Sequence, residues 1–178
     1  MSKDQPLFQD AERALRFAFS ICETEIYNSP VYVKEIIRQT GKSSRRAESM
    51  SPHDWHAQGS LIRAMVAKLE PLHAAYGFAV YSYAPDRVPA IEIVNTSVHG
   101  ELPSLKSRIV LEMLVRRHLD RGRAFRSTKS EIAGKAGCHA VTVHNWDKRV
   151  KPIMDAIHWD FFDAAERKLT AAGLIPSD

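Results

Sequence analysis

Residues 129–148 read KSEIAGKAGCHAVTVHNWDK, with small and apolar residues spaced as in two short helices that cross closely. A close crossing needs a small residue in the first helix, and Ala133 meets that need. The turn between the helices needs a residue that tolerates a positive φ, and Gly137 follows four positions later. Apolar residues that would fix the crossing angle lie in register around these two: Ile132, Ala136, Cys138, Val143 and Trp146. The stretch therefore predicts a helix-turn-helix.

One face of the second helix of this motif is not needed for packing against the rest of the motif. Its side chains are suited to the major groove, and we predict that these read bases: Val141, Thr142, His144, Asn145 and Lys148. Asparagine can pair with adenine, threonine and valine can touch the thymine methyl group, and lysine can reach guanine or phosphate. Since Thr142 and Asn145 are three residues apart, we expect them to share one edge of the helix. An ordinary helical hairpin buried in the core is the alternative interpretation.

Positive charge is concentrated around the motif. Residues 104–151 contain twelve Lys or Arg and four Asp or Glu, a net charge of +8, whereas the whole chain carries +4. A basic segment on a slightly acidic body is typical of a surface that binds a polyanion. We predict phosphate contacts, which supply affinity and register, from these side chains: Arg116, Arg117, Arg121, Arg123, Arg126, Lys129 and Arg149. A solvated charged face is the alternative.

The motif also resembles a known group of regulators. Residues 130–133, Gly137-Cys138 and residues 142–146 resemble the promoter-reading helix-turn-helix of sigma-factor region 4 and related proteins. The layout of a helical body, a basic helix and this motif is similar to that of phage antitermination (Q-type) late-gene regulators. The chain lacks the cysteine cluster with which some of those proteins bind zinc. The resemblance implies double-stranded DNA and RNA polymerase as partners.

Elsewhere the apolar residues recur at three- and four-residue spacing, which is typical of amphipathic helices. The predicted helices cover 8–27, 31–40 and 72–83, with others that begin at Ser51-Pro52, at a cap on Ser104 and at Pro152. Pro71 predicts a new helix or a kink. Residues 41–50 predict a polar loop, and residues 88–98 fit a helix or a strand, because they are rich in β-branched residues.

These patterns predict an all-α fold, a multi-helix bundle with a C-terminal helix-turn-helix that is followed by a long helix. We divide the chain into a helical segment with a polar linker at 1–50, a helical core or interaction region at 51–103, and a basic DNA-binding region at 104–178. The 178 residues are enough to bury a core without disulfides or a metal.

Several classes of protein do not fit the composition. No apolar run is long enough to span a bilayer and no secretion signal is recognisable, so we expect a cytoplasmic protein without membrane contact, in a bacterial host if a phage encodes it. His53 and His56 have no third ligand nearby, and Cys138 falls on a core position, so we expect no metal and no cofactor. Without a phosphate loop, a carboxylate pair or a nucleophile motif, the chain is not expected to be an enzyme.

The sequence thus favours a sequence-specific, double-stranded DNA-binding transcription regulator of phage type, with antitermination through RNA polymerase as the finer hypothesis. A small terminase-like subunit for DNA packaging is the first alternative, and a protein-interaction module without a nucleic-acid role is the second. A homo-oligomer is compatible with the first two. A ring of many subunits would favour packaging, whereas a monomer or dimer would favour regulation.

Overall fold

The structure is a computed structural model that describes residues 6–22, 50–83, 85–105, 107–120 and 126–177. Within those ranges all regular structure is helical. The helices are α1 (Ala11–Cys22), α2 (Pro52–Ala67), α3 (Pro71–Tyr81), α4 (Arg87–Glu101), α5 (Arg108–Leu119), α6 (Lys129–Ala136) and α7 (Ala140–Ala171). The predicted all-α, multi-helix fold is therefore confirmed. The predicted helix 31–40 and residues 41–49 of the predicted polar loop lie outside the described ranges.

Two helices begin with the same reciprocal cap. Before α2, the Ser51 hydroxyl accepts a hydrogen bond from the Asp54 amide at 3.3 Å, and the Asp54 carboxylate accepts one from the Ser51 amide at 2.9 Å. Before α6, the Thr128 hydroxyl accepts a hydrogen bond from the Glu131 amide at 3.2 Å, and the Glu131 carboxylate accepts one from the Thr128 amide at 2.7 Å. Each cap satisfies amides that have no partner inside the helix and so fixes where the helix begins.

The longest helix corrects the prediction that a separate last helix begins at Pro152. α7 runs through Pro152 without ending, from Ala140 to Ala171. The proline lacks the N–H that would bond to the Lys148 carbonyl, which usually costs about 3 kcal/mol. Pro152 lies on the exposed side of the helix, where that carbonyl can be hydrated. The turns on either side bury Val150 and Met154, and this packing keeps the helix continuous.

The segment before the motif also differs from the prediction in part. Residues 88–98, which fit a helix or a strand, lie within helix α4. The predicted cap at Ser104 is wrong, because α5 begins at Arg108 with Ser107 in the cap position. A turn precedes it, in which the Leu105 amide bonds to the Leu102 carbonyl at 3.0 Å and both leucine side chains are buried. Because this leucine pair is buried in a turn, the helix begins later in the chain than predicted.

α7 is the central element of the bundle. It contacts each of the six other described helices. Its buried side recurs at three- and four-residue spacing along the whole helix, in the order Val143, Asp147, Val150, Met154, Ile157, Phe161, Ala165 and Leu169. Residues of all three predicted regions contribute to one hydrophobic core. The second helix of the motif and the centre of the core are therefore parts of the same helix.

Candidate nucleic-acid interface

The turn between α6 and α7 is built around Gly137. This glycine has a φ of 61°, in the left-handed region that side chains with a Cβ disfavour. The Cys138 amide then reaches back to the Ala133 carbonyl at 3.0 Å, which is typical of a helix that ends in a left-handed residue. His139 occupies the cap position of α7. The short helix α6 thus meets the long helix α7 at a three-residue turn, Gly137 to His139, at the place that the spacing of the motif predicts.

The predicted scaffold residues lie at the crossing of these helices. Ile132 and Ala133 of α6 are buried, as is Val143 of α7. Trp146 is half-buried and packs against the core. α5 contacts both α6 and α7, so a third helix supports the pair. We call α5, α6 and α7 up to Val150 the three-helix unit.

A buried polar contact joins the three members of this unit. Asp147 of α7 accepts a hydrogen bond from His118 of α5, with 2.9 Å between Nε2 and Oδ1. Its other oxygen lies 2.6 Å from Nζ of Lys129, the first residue of α6. The side chains of His118 and Asp147 are only 4% and 11% exposed. One carboxylate therefore links three helices.

This carboxylate stays ionised at neutral pH. Burial by itself would raise the pKa of Asp147, but the hydrogen bonds from Lys129 and His118 outweigh it, and the pKa is lowered from the ordinary 3.8. By composition alone, Asp147 is only one of four acids in the basic segment 104–151. Its position four residues after Val143 and three before Val150 was the signal that it faces inward.

Most of the predicted base-reading residues lie on the opposite side of α7. Val141, His144, Asn145 and Lys148 are exposed, and 69% of the Val141 surface is accessible. Thr142 is half-buried, so it lies nearer the edge of this face than the sequence suggested. We call the four exposed residues the outer face of α7.

His144 is also part of the contact between the two helices of the motif. Its Nδ1 lies 3.1 Å from Nζ of Lys129, which holds Asp147 as well. The outer face and the buried carboxylate are therefore connected through one lysine.

Three of the predicted phosphate-binding cations make contacts within the protein. The Arg117 guanidinium donates to the Ser127 carbonyl, and Arg126 donates to the Arg117 carbonyl at 3.0 Å. Lys129 pairs with Asp147. These bonds fix the segment that enters α6. Of the three, Arg126 is exposed, whereas Arg117 and Lys129 are half-buried.

Two other predicted phosphate contacts are exposed cations. Arg116 pairs with Glu112 one turn earlier at 2.9 Å, and Arg149 donates to the Ser104 hydroxyl at 2.8 Å. Both bonds are made by exposed side chains, so an anion can compete for them at little cost. Arg121 and Arg123 lie outside the described residues.

Comparisons with known proteins add no family to this geometry. No protein-family model and no curated protein matches this chain. None of the described helices combines the length and the apolar character needed to cross a bilayer. Among the described residues, no three His, Cys, Asp or Glu side chains form a group that could hold a metal ion. The three-helix unit is therefore the feature from which a function can be inferred.

Proposed function

We propose that this chain binds double-stranded DNA through the three-helix unit, with the outer face of α7 in the major groove, and that it regulates transcription. The main support for this proposal is that a left-handed turn at Gly137 leads into a second helix with one buried side and one exposed side. One side buries Val143 and Asp147 in the unit. The other presents Asn145 and Lys148 to solvent.

The dimensions of the unit support this docking. A major groove is about 12 Å wide and admits one α-helix, which is read from its N-terminal turns. Val141, Asn145 and Lys148 recur at four- and three-residue spacing, so they form one stripe along the first turns of α7. In this stripe, Asn145 is placed for a bidentate contact with adenine, and Val141 for a thymine methyl group.

The surrounding charge supports binding to the backbone. Arg116, Arg126 and Arg149 are exposed, and they lie on α5, before α6 and on α7. Cations on several elements around a reading helix can hold both flanking phosphate strands and set the register of the helix. The hydrogen bonds that Lys129 and Arg117 make inside the protein orient the unit, so we assign them a positioning role.

A base-reading residue and a phosphate-binding residue have different signatures. We expect Asn145→Ala to weaken binding to a selected site about 5- to 150-fold and to change binding to a scrambled sequence little. Lys148→Ala should weaken binding to both DNAs. Lys68→Ala removes the same charge at the far end of α2 and serves as the matched control, with no loss expected.

The assay is selection of bound fragments from random DNA, followed by titrations at one fixed salt concentration. Equal losses on both DNAs for Asn145→Ala would rule out base reading by this residue. Absence of any enriched sequence, together with equal affinity for Lys148→Ala and Lys68→Ala, would rule out DNA binding by the outer face.

Transcription regulation of phage type, with contact to RNA polymerase and antitermination, is the finer proposal. It is supported by the resemblance of residues 130–146 to promoter-reading motifs. A pull-down of purified RNA polymerase, with and without promoter DNA, tests it. Enriched sequences that map to packaging sites, with a ring of many subunits in solution, would instead assign the chain to DNA packaging.

A further inference from the structure

The exposed side of α7 continues well beyond the outer face as one stripe. After Val141, Asn145 and Lys148, the stripe continues at three- and four-residue spacing through these residues: Pro152, Ala156, Trp159, Asp163 and Glu166. All of them are exposed, and the buried residues of α7 recur on the opposite side of the helix. At 1.5 Å per residue the stripe is about 37 Å long, and the proposed base contacts use only its first part.

Trp159 is the largest apolar side chain on this stripe. It is 69% exposed, although tryptophan side chains are highly buried on average. One side of the ring is supported, because it meets the His158 ring edge to face with 5.2 Å between centroids. His158 in turn bonds to the hydroxyl of buried Tyr76 at 2.9 Å. Exposed apolar surface with a tryptophan at its centre is typical of a protein–protein contact.

The charge changes sign along this side of α7. The exposed charged residues of α7 before position 152 are all cations: Lys148, Arg149 and Lys151. Residues 152–166, in contrast, contain four acids and no lysine or arginine. Asp155 and Asp163 lie one turn before and one turn after Trp159, in ion pairs with neighbouring cations of the same helix. The sign changes between Lys151 and Asp155, which is the middle of the stripe.

A stripe with this distribution is complementary to a second copy of itself. In a two-fold symmetric contact the same patch of both copies must match, so that the contact of one residue with another occurs twice. If α7 is antiparallel to its copy, each cationic half lies along the acidic half of the other copy. A parallel pair would instead bring like charges together. The direction of the pairing therefore follows from the charges.

The position of the two-fold axis follows from the same point of sign change. With the axis at 153–154, Lys148 of one copy lies opposite Trp159 of the other, between the carboxylates of Asp155 and Asp163. An ammonium group over a tryptophan ring is a favourable cation–π contact. The compact side chains of Pro152 and Ala156 lie next to the axis, where the two helices must approach most closely.

We propose that α7 pairs antiparallel with α7 of a second copy of this chain, through this stripe, to form a two-fold symmetric dimer. The pairing covers both Val141 and Trp159, which are the two most exposed large apolar residues of the described chain. It also covers the outer face, so a paired chain cannot insert that face into a major groove. Only this last consequence rests on the proposed function. Because each copy contributes one helix, the interface is small, and we expect a weak dimer with a Kd of about 10–100 µM.

Sedimentation velocity of the full chain without DNA, at concentrations from about 1 to 500 µM, tests the pairing. Trp159→Ala should raise the Kd of the dimer at least about tenfold, because it removes the centre of the contact. Tyr83→Ala removes an aromatic side chain of similar exposure, 63%, outside α7 and should leave the Kd unchanged. A chain that stays monomeric throughout, as expected if a different protein covers the stripe, would overturn the proposal. So would equal Kd values for the two variants.

Exchange of charges tests the orientation. Lys148→Glu and Asp163→Lys should each raise the Kd about tenfold, since each places like charges together across the axis. The double variant should dimerise at least about fivefold more tightly than either single variant, because the acid at 148 again faces a cation at 163 of the other copy. Lys68→Glu, on the exposed end of α2, is the matched control and should change nothing. A double variant no tighter than the singles would exclude the antiparallel arrangement.

Duplex DNA with one selected site separates this inference from the proposed function. Added in equal amount to the dimer, it should produce complexes of one chain per site, because the groove and the second copy compete for the same stripe. Two chains that stay paired on one site would contradict the pairing. If the dimer forms and responds to Trp159→Ala while no DNA binds, the pairing stands and the proposed function alone fails.

Discussion

Asp147→Asn removes one negative charge from the contact that joins α5, α6 and α7, while it keeps the shape of the side chain. The carboxylate has two charged or polar donors, His118 at 2.9 Å and Lys129 at 2.6 Å. A hydrogen bond to a charged group contributes about 1.5–3 kcal/mol. Lys129 is 30% exposed and can be hydrated after the change, whereas His118 is 4% exposed and cannot. We therefore expect a loss of about 2–4 kcal/mol, below the full cost of two such bonds.

The measurement is unfolding in urea at neutral pH, followed by far-ultraviolet circular dichroism. The slope of the free energy against urea should stay constant, so that the shift in midpoint reports stability alone. Asp163→Asn makes the same chemical change on α7, in an exposed pair with Arg167 at 2.7 Å, and should cost less than about 0.5 kcal/mol. A loss for Asp147→Asn no larger than for this control would refute the reasoning.

The remaining predictions concern the pH dependence of the Asp147 contact and three glycine positions. Because the pKa of Asp147 is lowered in the fold, its contribution is complete above the ordinary 3.8 and disappears as the pH falls through the folded value. Unfolding curves of the unchanged protein and Asp147→Asn should converge in acid, and a constant gap would contradict this. Gly137→Ala places a Cβ at a φ of 61° and should destabilise by about 1–2 kcal/mol, whereas Gly134→Ala in α6 meets open space and should stabilise by up to about 1 kcal/mol. Thermal melts check both signs. Gly77→Ala brings a Cβ to 2.7 Å from the Phe161 ring and should cost about 1–3 kcal/mol in urea, and an unchanged midpoint would show that the ring moves freely.

The turn of the motif was predictable because its requirements are local. Ala133 and Val143 mark the two crossing helices, and only a residue such as Gly137 tolerates the left-handed turn between them. The capping box at Ser51 was predicted in part, since serine before Pro52 is a local signal as well. In each case the deciding partners are fewer than a dozen residues apart in sequence.

The features that escaped prediction depend on distant partners. Proline inside a helix removes a backbone hydrogen bond and usually ends or kinks the helix. At Pro152, burial of Val150 and Met154 against other helices keeps α7 continuous. Asp147 resembles an exposed acid until His118, 29 residues earlier, is placed beside it. The packing of α4 against α5 was not predictable either, because the β-branched residues at 88–98 left open whether this segment is a helix or a strand.

The continuity of α7 limits how this protein can be taken apart or re-engineered. Its 32 residues extend about 48 Å, and the chain after its last turn holds the segment before α1 through a 3.0 Å bond from the Phe8 amide to the Leu174 carbonyl. Replacing the motif as a unit would therefore remove the central support of the bundle. Under the proposed function, a new DNA sequence preference would have to be introduced by single substitutions on the outer face.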